Sequence, residues 1–158
     1  LPGIASTGLH TNGYSMARHV FNLDENPSNI DNRYPELSKT LGEELLEPHR
    51  SYYPLLNPIL PLIKGMAHIT GGGFFENVPR VLPNNLGAQF DSSKWQILPI
   101  FDLIQRVGNV SKAEMFRIFN MGIGMILVSS EENVSKIQDL VPEAKIIGTV
   151  TNKNEIVV

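Results

Sequence analysis

The sequence predicts a layered domain of the α+β or α/β type, a mixed β-sheet covered by helices. Three observations lead there. Segments with strand character and segments with helical apolar spacing interleave along the chain without strict alternation, which favours a mixed sheet over a doubly wound parallel one. The 158 residues suit one domain, taken as residues 1–158. The hydrophobic share of 42% is ordinary for a chain that buries a core.

The elements read as follows. Leu1 to Ala5 resembles the end of a strand met in mid-fold, so an upstream part of the fold is expected beyond Leu1. Tyr14, Ala17, Val20 and Phe21 give an apolar face to a helix over 13–21, with Asn12 as N-cap. Residues 22–35 are polar and rich in Asn, Asp and Pro, hence a surface loop. A short helix over 39–46 follows. Pro54, Pro58 and Pro61 break the helical spacing of 52–64 into two kinked turns. Residues 67–70 form a short buried strand, and a helix over 74–81 follows three glycines. A strand over 87–91 and a helix over 100–107 come next. Ser111 and Glu114 make a capping box for a helix ending near Phe119. A strand over 124–128 and a helix over 131–140 precede a closing pair of strands, 145–150 and 155–158, turning at 152–154.

Composition excludes several functions. There are no cysteines, so no disulfide framework, cysteine zinc site or cysteine nucleophile; this fits a reducing, cytoplasmic setting. The net charge is −3 and basic residues are not clustered, unlike a nucleic-acid surface. The apolar run around Met121 to Val128 falls well below the roughly 18 residues of a membrane helix. His19 and His49 lie in or near polar segments, and neither paired histidines nor carboxylates occur at ligand spacing, so no protein-only metal site is expected. Trp95 reads as a packing anchor.

Three motifs are candidates for chemistry. The first, Ser6-Thr7-Gly8-Leu9-His10-Thr11-Asn12-Gly13, sits between strand and helix, where free backbone N–H groups favour an anion. His10 is placed to donate a hydrogen bond, move a proton or cap the helix. The second runs from Ala67 through His68, Thr70, Gly71, Gly72 and Gly73 to Glu76, Asn77 and Arg80. Its glycines suit a backbone loop around a phosphate or a tight turn with positive φ. It lacks the Gly-Lys-Ser/Thr ending of a Walker loop and the glycine spacing of a dinucleotide fingerprint. Glu76, Asn77 and Arg80 share a helical face, with Arg80 free to hold phosphate or to pair with Glu76. The third, Phe119-Asn120-Met121-Gly122-Ile123-Gly124-Met125, runs from a helix end into a strand, with Asn120 either beside a ligand or in a structural turn.

These three blocks resemble, in order and spacing, the C-terminal domain of the aminoimidazole ribonucleotide (AIR) synthetases, the phosphoribosylformylglycinamidine cyclo-ligases. The run Ala67 to Pro83, AHITGGGFFENVPRVLP, carries most of the likeness, with Leu9 to Ser15 and Gly108 to Met125 on either side. The resemblance implies an ATP-dependent closure of an imidazole ring, from formylglycinamidine ribonucleotide (FGAM) to AIR. It implies ATP and Mg²⁺ bound mainly by an N-terminal half, a homodimer, and no nucleic acid or membrane partner. It places His10 and Asn12 at the reacting centre. Thr70, Gly71, Gly72, Gly73, Glu76, Asn77, Arg80 and Asn120 become residues that bind substrate or phosphate, or order the loops that do. One segment departs: where the family carries a Thr-Arg-Ile-Tyr-x-Lys-like stretch, this chain has His49-Arg50-Ser51-Tyr52-Tyr53-Pro54. That departure keeps open a non-catalytic binding module derived from the enzyme.

Overall fold

A computed structural model describes all residues, 1–158. The elements are β1 (Pro2–Ala5), α1 (Tyr14–Val20), α2 (Leu41–Leu45), α3 (Tyr53–Leu56), β2 (Gly65–His68), α4 (Gly73–Asn77), β3 (Gly87–Phe90), α5 (Pro99–Gly108), α6 (Lys112–Ile118), β4 (Ile123–Val128), α7 (Glu131–Leu140), β5 (Lys145–Ile146), β6 (Gly148–Thr151) and β7 (Ile156–Val157). Short 3₁₀ turns cover Pro27–Asp31, Asn57–Leu62, Pro79–Val81 and Ser92–Lys94. No helix is long and apolar enough to cross a membrane.

The strands form two sheets. One is antiparallel throughout, in the order β2-β4-β1-β5; the other, β6-β3-β7, mixes an antiparallel and a parallel pair. Strand β4 is the axis of the first. Its sequence, Ile-Gly-Met-Ile-Leu-Val, is apolar on both faces because both faces are covered. Ile123 and Ile126 join the larger core with Leu9, Ala17, Phe74, Phe101 and Phe116. Met125 and Leu127 point the other way, to a smaller cluster with Ile4, Tyr52, Ile59 and Ile137. Trp95 is the expected anchor: its ring stacks on Phe74 at 5.7 Å and its indole N–H donates to the Met121 carbonyl at 2.9 Å.

Four sequence expectations need correction. The closing strands do not pair with each other. Ile147, fully buried, splits 145–150 between sheets, so that β5 joins β1 while β6 and β7 flank β3 on opposite edges. Asn12 does not cap α1: Gly13, at φ 73°, holds the N-cap position. The helix over 74–81 stops at Asn77, and Pro79 opens a separate 3₁₀ turn. The reciprocal capping box forms at Thr40 and Glu43, whereas at Ser111 the contact is the Glu114 N–H donating to the hydroxyl, 3.2 Å. The kinked pair of turns over 52–64 is present, as α3 and the 3₁₀ turn after it.

Gly73 is the backbone hinge behind the glycine loop. It adopts φ 56°, and a Cβ there would lie 1.9 Å from the Phe116 carbonyl oxygen, a backbone atom that has nowhere to move. Gly73→Ala is therefore expected to lower unfolding stability by at least about 2 kcal/mol, read as a shifted urea midpoint at constant slope.

Candidate functional site

The site lies where the loop after β1 meets the loop after β2. Residues 6–9 are held by Asn120, which has no exposed surface. Its side-chain oxygen accepts from the Ser6 hydroxyl at 2.8 Å and the Gly122 amide at 2.9 Å, while its amide donates to the carbonyls of Gly8 at 2.9 Å and Leu9 at 3.2 Å. With those bonds made, the Asn120 side chain is committed to shaping this loop. His10 follows in left-handed backbone, φ 59°, a region that His tolerates better than most residues.

His10 is 3% exposed. Its Nε2 accepts the Thr7 backbone N–H at 3.1 Å, and the Thr7 hydroxyl, which donates to the Pro48 carbonyl at 2.8 Å, lies 3.1 Å from the same nitrogen. Its Nδ1 is buried with no partner. Burial, then the neighbouring charges of His49, His68 and Arg50, lower its pKa to about 4. His10 is thus a neutral imidazole near pH 7.

The fold brings two further histidines to it. His49 stacks on His10 with ring centres 3.9 Å apart and planes 10° from parallel, and the His68 ring centre is 5.2 Å from that of His49. One ring nitrogen from each of the three lies within 4.8 Å of the others. No short-range pattern signals this, because the three come from a loop, an irregular segment and a strand end 39 and 19 residues apart (49 − 10 and 68 − 49). His68 Nε2 is also buried and unpartnered, and burial followed by His49 lowers the His68 pKa.

The segment that carries His49 is fastened by its neighbours. Arg50 makes a two-pronged contact with Glu143, at 2.7 and 3.0 Å, and its Nη1 also donates to the Ala5 carbonyl at 3.3 Å. The Tyr52 hydroxyl donates to the same carbonyl at 2.9 Å, and burial raises its pKa. Gly124 makes room: a Cβ there would sit 1.8 Å from the Tyr52 oxygen. Beyond this, Tyr52, Tyr53, Leu60, Met66 and Met125 line an open, mostly apolar cleft of about 620 Å³ that His49 and His68 border.

The glycine loop faces Asn12. A Cβ on Gly71 would be 3.9 Å from the Asn12 side-chain oxygen. Asn12 is buried, and its Nδ2 has no partner. Asn77 is the loop's internal tie: its amide donates to the carbonyls of Gly73 at 2.8 Å, Gly71 at 3.2 Å and Thr70 at 3.3 Å, and its oxygen accepts from the Thr70 hydroxyl at 3.2 Å and from Arg80 at 3.3 Å. The Gly73 N–H closes a turn onto Thr70, so it is not among the amides left for a ligand. Glu76 and Arg80 form an exposed pair at 3.7 Å, worth little to stability and open to an incoming group.

The fold defines an α+β domain in which the loop after β1 and the end of β2 carry buried, unpartnered polar atoms. The profile of the family described as AIR synthase related protein, C-terminal domain, matches residues 1–158, and the chain belongs to that family. The phosphoribosylformylglycinamidine cyclo-ligase of Caldicellulosiruptor saccharolyticus is 49% identical over 156 residues, covering 95% of this chain and 46% of the relative. That of Enterococcus faecalis is 50% identical over 151 residues, covering 94% and 44%. The chain therefore spans about half the length of the curated relatives it matches.

Two predictions follow from the site's construction. Asn120→Ala strands four buried partners and is expected to cost about 3 kcal/mol, with faster amide hydrogen exchange at Gly8 to His10. The second concerns pH. His10 has a folded pKa of about 4 against an ordinary 6.5, so below pH 6.5 the unfolded chain takes up the proton first. Its contribution is complete above pH 6.5 and is lost as pH falls towards 4. Urea unfolding across that window should show stability falling with pH, and less steeply in His10→Asn, which does not titrate.

Proposed function

We propose that this chain is the C-terminal, substrate-binding half of a cyclo-ligase that converts FGAM to AIR. The observation that carries the reading is the junction of two loops: Asn12 on one faces Gly71 on the other, and His10 and Asn12 carry buried, unpartnered nitrogens, in a chain about half identical to cyclo-ligases. An N-terminal half completes the enzyme on this reading, as a homodimer in the cytoplasm.

ATP supplies the phosphoryl group that activates the formyl oxygen, after which the ribose-bearing nitrogen attacks the formyl carbon and phosphate leaves. Mg²⁺ prefers oxygen ligands, and the cluster of possible ligands here is three imidazoles. Mg²⁺ does not fit these residues, and we assign it to the N-terminal half. This half of the site binds and orients. Gly71 lets substrate approach the backbone, Asn12 and His10 offer hydrogen bonds beside the reacting group, and Thr70, Gly72, Gly73 and Asn77 keep the loop in one shape. Arg80 and Glu76, at the rim, meet the charged end of the substrate. Holding the reacting groups in line and stabilising the charge that develops between them are two large sources of rate in such a closure.

Gly71 offers a clean test. A side chain there meets open space rather than backbone, so Gly71→Leu is expected to fold normally while filling the cleft. In the full-length protein it should raise KM for FGAM at least about tenfold, a loss of about 1.4 kcal/mol of binding, with the unfolding midpoint unchanged. Wild-type protein that binds FGAM but closes no ring with ATP would favour the non-catalytic binding module. Unaltered kinetics in Gly71→Leu would remove the cleft from the mechanism.

A further inference from the structure

Three imidazoles gathered within 4.8 Å invite a transition metal, which imidazole suits well. One hydrogen bond at His10 argues otherwise. A backbone N–H only donates, and the Thr7 N–H donates to His10 Nε2. That nitrogen therefore carries the lone pair, and the single proton of the neutral ring is on Nδ1. A metal-bound histidine needs the opposite arrangement: a lone pair for the ion on one nitrogen and a proton to give away on the other. Coordination through Nδ1, with Thr7 in place, would require a ring stripped of both protons. Coordination through Nε2 would expel the Thr7 amide. His10 thus meets the cluster as a hydrogen-bond donor.

That donor has no acceptor. His10 Nδ1 is buried and unpartnered, and so are His68 Nε2 and Asn12 Nδ2. A buried donor without a partner costs about 1–3 kcal/mol, and His10 is 97% buried (100% − 3% exposed). Two of the three are close neighbours, and the third lies two residues from His10 on the same loop. His10 and His68 belong to the same cluster, and Asn12 abuts Gly71, three residues beyond His68. A separation of up to 4.8 Å between ring nitrogens is one that two oxygens of a single phosphoryl group span at ordinary charge-assisted distances of about 2.7–2.9 Å. Arg50, whose charge is felt at His10, is already paired with Glu143, so neutral donors carry the recognition here.

We propose that His10 Nδ1–H, His68 Nε2–H and Asn12 Nδ2–H₂ form a binding site for a phosphoryl oxyanion, with His10 acting as a neutral donor rather than as a base or metal ligand. The inference rests on the ring-closure reading only for which phosphoryl group arrives; the donor set stands without it. His49, stacked on His10 and exposed, forms the solvent-side wall of the site.

The test uses the full-length protein with ¹⁵N-labelled histidine, two probes and two variants. Long-range ¹H–¹⁵N spectra report the tautomer of each ring, and His10 is expected as Nδ1–H near neutral pH. Inorganic phosphate stands for the group that leaves the reaction, and ribose 5-phosphate for the handle of the substrate; tighter binding of one assigns the source. His10→Asn retains an N–H donor in a residue that accepts left-handed backbone, whereas His10→Gly keeps that backbone and deletes the donor. Affinity for the preferred probe should change less than about threefold in His10→Asn and fall at least about tenfold in His10→Gly, roughly the weight of one hydrogen bond to a charged group. Three results would overturn the proposal: an Nε2–H tautomer at His10, equal affinity in both variants, or Zn²⁺ binding that depends on His10 while neither phosphate does. Each reading is independent of turnover, so a failed ring-closure assay leaves the proposal standing, and lost phosphate recognition leaves ring closure to its own assay.

Discussion

The Asn120 carboxamide is the tie from which the cleft hangs. It has no exposed surface, so water cannot replace any partner it loses, and it holds a hydroxyl, an amide and two carbonyls at once. In a dry interior each stranded group is costly, and the loop over residues 6–9 is driven into the conformation that satisfies all of them. That conformation aims the Thr7 amide at His10 and sets the histidine in left-handed backbone. The ring's tautomer is thus decided by an asparagine more than a hundred residues away in sequence. Asn77 plays the same part for the opposite loop, drawing the carbonyls of Thr70, Gly71 and Gly73 inward. Two buried carboxamides therefore fix the two walls of one site.

The segment at 49–61 has a structural logic of its own. Arg50 and Tyr52, the two residues that persist from the family-like pattern, both bind the Ala5 carbonyl at the end of β1. Arg50 also reaches Glu143, beyond α7. Their side chains are committed to holding the irregular segment against the sheet, and Gly124 is the vacancy in β4 that admits the tyrosine. Of the residues that depart from that pattern, His49, Ser51 and Pro54, it is His49 that stacks on His10. The departures from the family-like pattern thus spare the two anchoring side chains.

Much of this was legible in the sequence, and the limits were physical. Strand β4, the glycine loop and the kinked turns after Tyr52 announce themselves through local pattern: an apolar run, consecutive glycines, spaced prolines. His10 and Asn12 were legible as a pair for the same reason. The histidine cluster was not, since proximity between residues 10, 49 and 68 is created by sheet pairing and by the anchoring of an irregular segment, neither of which leaves a spacing signature. The division of residues 145–158 between two sheets was hidden too. Period-two alternation marks a strand but not its partner, and β3 offered both edges to segments that read as a hairpin. Asn120 was visible as either a ligand contact or a structural residue; sequence alone left both open, because a buried amide with four partners and a ligand-facing amide look alike there.

The tautomer at His10 bears on where protons go. A neutral ring with Nδ1 protonated and Nε2 occupied by the Thr7 amide has no free lone pair with which to accept a proton. On the ring-closure reading, the nitrogen that attacks the formyl carbon must lose its proton to some other group, whether leaving phosphate, water or a side chain of the N-terminal half. His10 then works by stabilising negative charge as it develops on oxygen, which a fixed, desolvated donor does well because it needs no reorganisation during the reaction. The lowered pKa is part of that design. Because the ring stays neutral near pH 7, its Nδ1–H remains a fixed donor as charge accumulates, and the proton that the attacking nitrogen loses is taken up elsewhere.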